Sequence, residues 1–131
     1  MDVAQKVQNG ETFDVVMGHA NVIWQGDANE QVLRCLAHTT TPTSLLNVAG
    51  LEQLSVRQLA QGFGKRFGVT PQIVGREAES ALLSDAGESV RLFGPPRVPL
   101  SSMLDWTADW LQRGGESLGR PTKFEVRDGT F

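Results

Sequence analysis

Residues 55–68 read SVRQLAQGFGKRFG. Three glycines, a lysine and an arginine crowd residues 60–68, which at first sight suggests a loop that cradles phosphate. The flanking pattern decides otherwise. Ser55 and Gln58 have the spacing of a capping box, and Val56, Leu59, Ala60, Phe63 and Phe67 recur at helical intervals. Gly68 stands where such a helix would exit. Gly62 and Gly64 therefore fall inside a helix, whereas a phosphate cradle needs its glycines between a strand and a helix N-terminus. Lys65 and Arg66 fall in the last turn, where cations meet the negative end of the helix dipole. The stretch predicts a packed helix with close-approach glycines.

Outward from this helix the chain alternates. Upstream, residues 2–8 predict a short helix that Asn9-Gly10 would terminate. TFDVVM (12–17) and ANVIWQ (20–25) are β-like. Asp27 and Glu30 predict a capped helix whose Ala28, Val32, Cys35 and Leu36 share one apolar face. TTTPTS (39–44) reads as a loop and LLNVAG (45–50) as a short buried strand.

Downstream, PQIVGR (71–76) predicts a strand and SALLSD (80–85) an extended segment. Asp85 and Glu88 predict a third capped helix, ending at Phe93-Gly94 before the Pro95-Pro96 turn. Leu100, Met103, Leu104, Thr107, Trp110 and Leu111 predict a last helix, closed by Gly114-Gly115. Phe124–Val126 is a β-like patch in an otherwise unassigned tail. The order gives an α/β fold with short strands and four to five helices, too few strands for a complete doubly wound sheet.

A chain of 131 residues suffices for one core. Hydrophobic content of 40% with 21% charged residues is globular. A net charge of −3 and scattered cations argue against a nucleic-acid partner. The single cysteine, Cys35, precludes an internal disulfide. The first residues carry no signal-like apolar run, and no stretch reaches membrane-spanning length, so a cytoplasmic location is expected.

Candidate chemistry is sparse. The chain has no tyrosine, which excludes a phenolic acid or base within these residues. His19, Cys35 and His38 are too few for a structural zinc site. No Gly-x-Ser-x-Gly elbow occurs. Asp105 and Asp109, four apart on the last helix, read as a solvated face. No catalytic, metal or cofactor residue is therefore assigned. Trp24 is more suggestive, because it sits where a strand gives way to Gln25, Asp27 and Asn29, and ligand contacts concentrate at strand ends.

Three stretches, in order, resemble a known family. NVIWQGDANEQVLRCLAH (21–38) resembles the strand–helix segment of extended short-chain dehydrogenase/reductases. LLNVAGLEQLSVRQLAQGFGKRFGVTPQI (45–73) is similar to that family's strand, Asn-x-x-Gly and Ser-opened helix. LLSDAGESVRLFGPPRVPLSSMLDWTADWL (82–111) is similar to its C-terminal pattern of Asp-capped helix, Gly, proline turn and terminal helix. The resemblance, to the NAD-dependent epimerase/dehydratase group, runs from about residue 10 to 112.

It implies the C-terminal, substrate-binding lobe of a Rossmann-type enzyme, over residues 1–113, followed by a tail, 114–131. The family's glycine-rich dinucleotide loop and Tyr-x-x-x-Lys pair have no counterpart here. NAD(P) is thus implied for the complete family enzyme and no cofactor for this chain, which is expected to be catalytically silent alone.

The implied partners are a missing Rossmann domain or a second copy, together with a small, sugar-like substrate. Asn21, Trp24, Gln25 and Asp27 are the expected substrate-binding residues, with Asp27 as orienting or capping group. The family's Arg-Asp pair is replaced by Ala20-Asn21, which removes a bidentate phosphate contact. The alternative is a stand-alone α/β module acting by protein contact or self-association, with Met103 and Trp106 in the exposed surface.

Overall fold

The computed structural model describes residues 1–119. The elements run α1 (Asp2–Gln8), β1 (Thr12–Asp14), β2 (His19–Ala20), α2 (Gln25–Cys35), β3 (Leu54–Ser55), α3 (Val56–Phe67), β4 (Gln72–Val74), α4 (Gly87–Phe93) and α5 (Leu100–Gln112). A 3₁₀ turn, Leu36–His38, follows α2. The fold is α/β with short strands and, among the described residues, five helices, within the expected four to five. The described residues form two compact units, one built from 1–20, 54–82 and 100–119, the other from 21–53 and 83–99.

The first unit has a continuous apolar core of Ala4, Val7, Phe13, Val15, Val56, Ala60, Phe63, Ala108 and Leu111. The decisive stretch folds as its pattern requires. The Ser55 hydroxyl accepts the Gln58 N–H, and Gly68 closes α3 at φ 71°. Val56, Ala60 and Phe63 turn inward. Gly64 is buried where the chain doubles back; a Cβ there would lie 2.6 Å from the Val69 carbonyl oxygen. Gly62 faces Leu104 of α5, so the glycines serve packing. Arg66 ties the same two helices through Asp105 and also donates to the Gly62 carbonyl of its own helix.

β1 and β4 pair in parallel, Phe13 opposite Ile73, and the intervening chain supplies the long crossover that a parallel pair needs. TFDVVM pairs only as far as Asp14. The Asp14 carboxylate accepts the Val16 N–H at 2.8 Å, a local turn that competes with the ladder. ANVIWQ is likewise shorter than expected. Only His19-Ala20 pairs, antiparallel to Leu54-Ser55, and Trp24 and Gln25 already belong to the start of α2.

In the second unit the expected strand 45–50 is absent. Leu45 is 95% exposed and only Ala49 and Gly50 are buried. Gly50 packs edge-on against the Val22 carbonyl, where any Cβ would overlap that oxygen. α2 departs further. Its expected apolar face points outward, with Val32 58% and Leu36 72% exposed, while Asp27 and Gln31 are buried.

The expected caps move too. Trp24, not Asp27, is the N-cap of α2. Ala86 caps α4, and Asp85 instead accepts the Gly87 N–H. The Glu88 carboxylate is spent on Arg91 rather than reaching back.

On α5 the inward residues are Ala108 and Leu111, and Trp110 is half-exposed. Its indole N–H donates to the Glu116 carbonyl at 3.0 Å, holding the turn after the helix. Asp105 and Asp109 lie on the solvated face, each paired with an arginine, Arg66 and Arg113. The β-like patch 124–126 lies outside the described residues.

Candidate functional site

All four expected site residues fall in the second unit, along the stretch that enters and opens α2. Asn21 is fully engaged. Its Nδ2 donates to the carbonyls of Gly50, at 3.0 Å, and Ser84, at 2.7 Å, and its Oδ1 accepts the Ser84 N–H. One side chain thus fastens three stretches that have no common ladder. Each such neutral bond contributes about 1 kcal/mol net, and more is lost if its buried partners are stranded.

Asp27 is buried and equally committed. One carboxylate oxygen accepts the backbone N–H groups of Arg97 and Val98, at 3.0 and 2.9 Å. Two turns further along the same helix, Arg34 donates to the Phe93 carbonyl at 2.8 Å and lays its guanidinium over the Phe93 ring. Glu30 pairs with both Arg34 and Arg97. The inward face of α2 is therefore a polar clamp on the chain 93–98. The helix period finds this face, but its residues look like surface residues in one dimension.

Trp24 and Gln25 differ from these two. Both are exposed, at the N-cap and first residue of α2. Gly26 leaves room for the Trp24 indole, since a Cβ there would stand 2.7 Å from its Nε1. An exposed indole beside a carboxamide at a helix opening is suited to stacking on, and hydrogen-bonding to, a hydroxylated ring. Asn21 and Asp27 hold the backbone on either side of them.

Three concavities matter. A groove of about 670 Å³ runs along α1 and residues 116–119 of the first unit, remote in sequence from every expected site residue. A cavity of about 310 Å³ is lined by Cys35, His38, four hydroxyl residues and Glu88. Among the described residues no three potential metal ligands come together. A third cavity, about 290 Å³, opens beside Asn21 and includes Gln53, Ser84 and Asp85. Sequence reading did not assign these last three to a site. Asp85 was legible only as a cap, and the others carry no pattern.

Among the described residues no helix is long and apolar enough to cross a membrane. Titration is perturbed at two surface pairs. The Arg57 guanidinium, bonded to Glu77 at 2.6 Å, holds that carboxyl below its ordinary range, and Arg91 does the same for Glu88.

No family model and no curated protein matches the sequence. A solved structure does match in three dimensions. UDP-glucuronic acid 4-epimerase from Bacillus cereus, in complex with NAD, superposes with a TM-score of 0.67 at 15% identity, over 88% of this chain. The chain spans 39% of that structure's length. At this identity the likeness is one of fold: these residues adopt the architecture of part of that structure.

Proposed function

We propose that the chain is the substrate-binding, C-terminal part of an NAD(P)-dependent epimerase/dehydratase-like enzyme, without redox chemistry of its own. The superposition on about two-fifths of an NAD-bound epimerase carries this reading. Trp24 and Gln25 contact the substrate, while Asn21 and Asp27 position them from behind. The substrate is a small sugar-like molecule. NAD(P) belongs to the complete enzyme, whose Rossmann domain supplies the glycine-rich loop and proton-transferring residues. On this reading residues 1–113 form the lobe, 114–131 are a tail, and the assembly works in the cytoplasm.

Calorimetric titration of the 131-residue chain with NADH and NADPH tests the reading. No binding is expected, and micromolar affinity for either coenzyme overturns it.

A second reading rests on a different observation. Val32 and Leu33 on α2, Leu36 in the turn after it, and Trp106 and Trp110 on α5 are exposed. Exposed apolar patches mark association surfaces. The chain would then act as a stand-alone interaction or self-association module. Light scattering separates the two: a concentration-independent dimer favours the module, and a monomer at high concentration favours the lobe.

A further inference from the structure

The cavity beside Asn21 keeps several unspent polar groups in its wall. Its frame is tied together by Asn21, which binds both the Gly50 and the Ser84 backbone. Its wall combines two exposed leucines, Leu51 and Leu83, with Gln53, Ser84 and Asp85. Among the described residues, no hydrogen bond engages the Gln53 carboxamide or the Ser84 hydroxyl. Asp85 uses one oxygen, on the Gly87 N–H at 2.8 Å. Its other oxygen has no partner there, and the carboxylate has no ion pair.

Three features define the occupant. The volume, about 290 Å³, lies at the small end of ligand pockets and suits a single sugar ring rather than a nucleotide sugar. Among the described residues the lining has one carboxylate and no Lys, Arg or His. An anion would meet repulsion without a guanidinium to receive it, whereas an ammonium would gain a charge-assisted bond. Leucines beside a hydroxyl and a carboxamide match a ring with an apolar C–H face and hydroxylated edges.

We propose that this cavity binds a small hydroxylated amine of the amino-sugar class. The ammonium sits on the free oxygen of Asp85, ring hydroxyls on Ser84 and Gln53, and the C–H face on Leu51 and Leu83. This goes beyond the function proposed above and needs neither a coenzyme nor a second domain, so it stands or falls separately from the coenzyme titration.

The test is an amide-resolved NMR titration of the full chain with glucosamine, glucose and glucuronate. Glucosamine is expected to bind most tightly, shifting the amides of 83–87 and the Gln53 side chain, with glucose weaker and glucuronate weakest. Asp85→Asn keeps an oxygen for the Gly87 N–H and removes the charge. It is expected to weaken glucosamine about tenfold, the order of one charge-assisted bond, and to leave glucose unchanged. Its spectrum outside the cavity reports that the fold is retained, and Gln53→Ala, at an exposed position, provides a second variant expected to weaken both sugars. Glucuronate binding tightest, shifts centred elsewhere, no shifts with millimolar sugar, or indifference of glucosamine to Asp85→Asn would each overturn the proposal.

Discussion

The two compact units solve the problem of staying folded in opposite ways. In the first, α3 turns Val56, Ala60 and Phe63 into a core shared with α1 and α5, and charges such as Lys65 face water. In the second, the buried apolar residues are only Ala49, Ala86 and Phe93, while Val32, Leu33, Leu36 and Leu45 are exposed. What holds the second unit is a set of polar clamps: Asn21 on Gly50 and Ser84, Asp27 on Arg97 and Val98, and Arg34 on Phe93. A core is cooperative and tolerant of surface change. A clamp is local, and each one fails when a single side chain is removed.

This contrast can be attacked by substitution. Phe63→Ala should cost about 3–5 kcal/mol, as expected for a buried aromatic truncated to alanine, and should lower the denaturation midpoint of the whole first unit. Gly50→Ala comes next, since the new methyl would overlap the Val22 carbonyl and force backbone movement. A loss of roughly 1–3 kcal/mol is expected for such overpacking, visible as altered amide shifts confined to the second unit.

Asp27→Ala strands two backbone N–H groups, and a loss of about 1–3 kcal/mol follows from the usual penalty for buried unpaired donors. Asp27→Asn retains an acceptor oxygen and should recover much of it. By contrast, Leu36→Ser should change stability by no more than about 0.5 kcal/mol, checked by the same denaturation curve. A large loss there would mean that α2 buries its apolar stripe after all.

The smallest effect concerns pH. Glu77 has a depressed carboxyl pKa, first through its hydrogen bond from Arg57 and then through a backbone bond, against a smaller opposing effect of desolvation. A depressed value means that its contribution is present above the ordinary carboxylate range. It is lost as pH falls through the lowered folded-state value. Thermal midpoints measured against pH should therefore decline on the acid side less steeply in Glu77→Gln than in the parent chain.

The same contrast explains what could be read from one dimension. SVRQLAQGFGKRFG was legible because cap, stripe and exit glycine agree and the cover for its stripe lies in this chain. ANEQVLRCLAH has an equally regular stripe, yet Val32 and Leu36 face out. Periodicity identifies an apolar face without saying what meets it. Asp27 looked like a cap because spacing alone cannot register the Arg97 and Val98 amides, seventy residues downstream. LLNVAG looked like a strand because its residues are apolar, but it has no partner to ladder with, and Gly50 is held instead by an asparagine side chain. Trp24 was singled out by its place in the sequence, and it stands exposed at the N-cap of α2.

Native-state hydrogen exchange, read amide by amide on the unmodified chain, addresses the contrast most directly. The interior amides of α3 should exchange only through global unfolding. Those of α2 should exchange through smaller, local openings, with free energies well below the global value. Equal protection of the two helices would contradict the account, because it would require a core beneath α2 that the polar clamps do not provide.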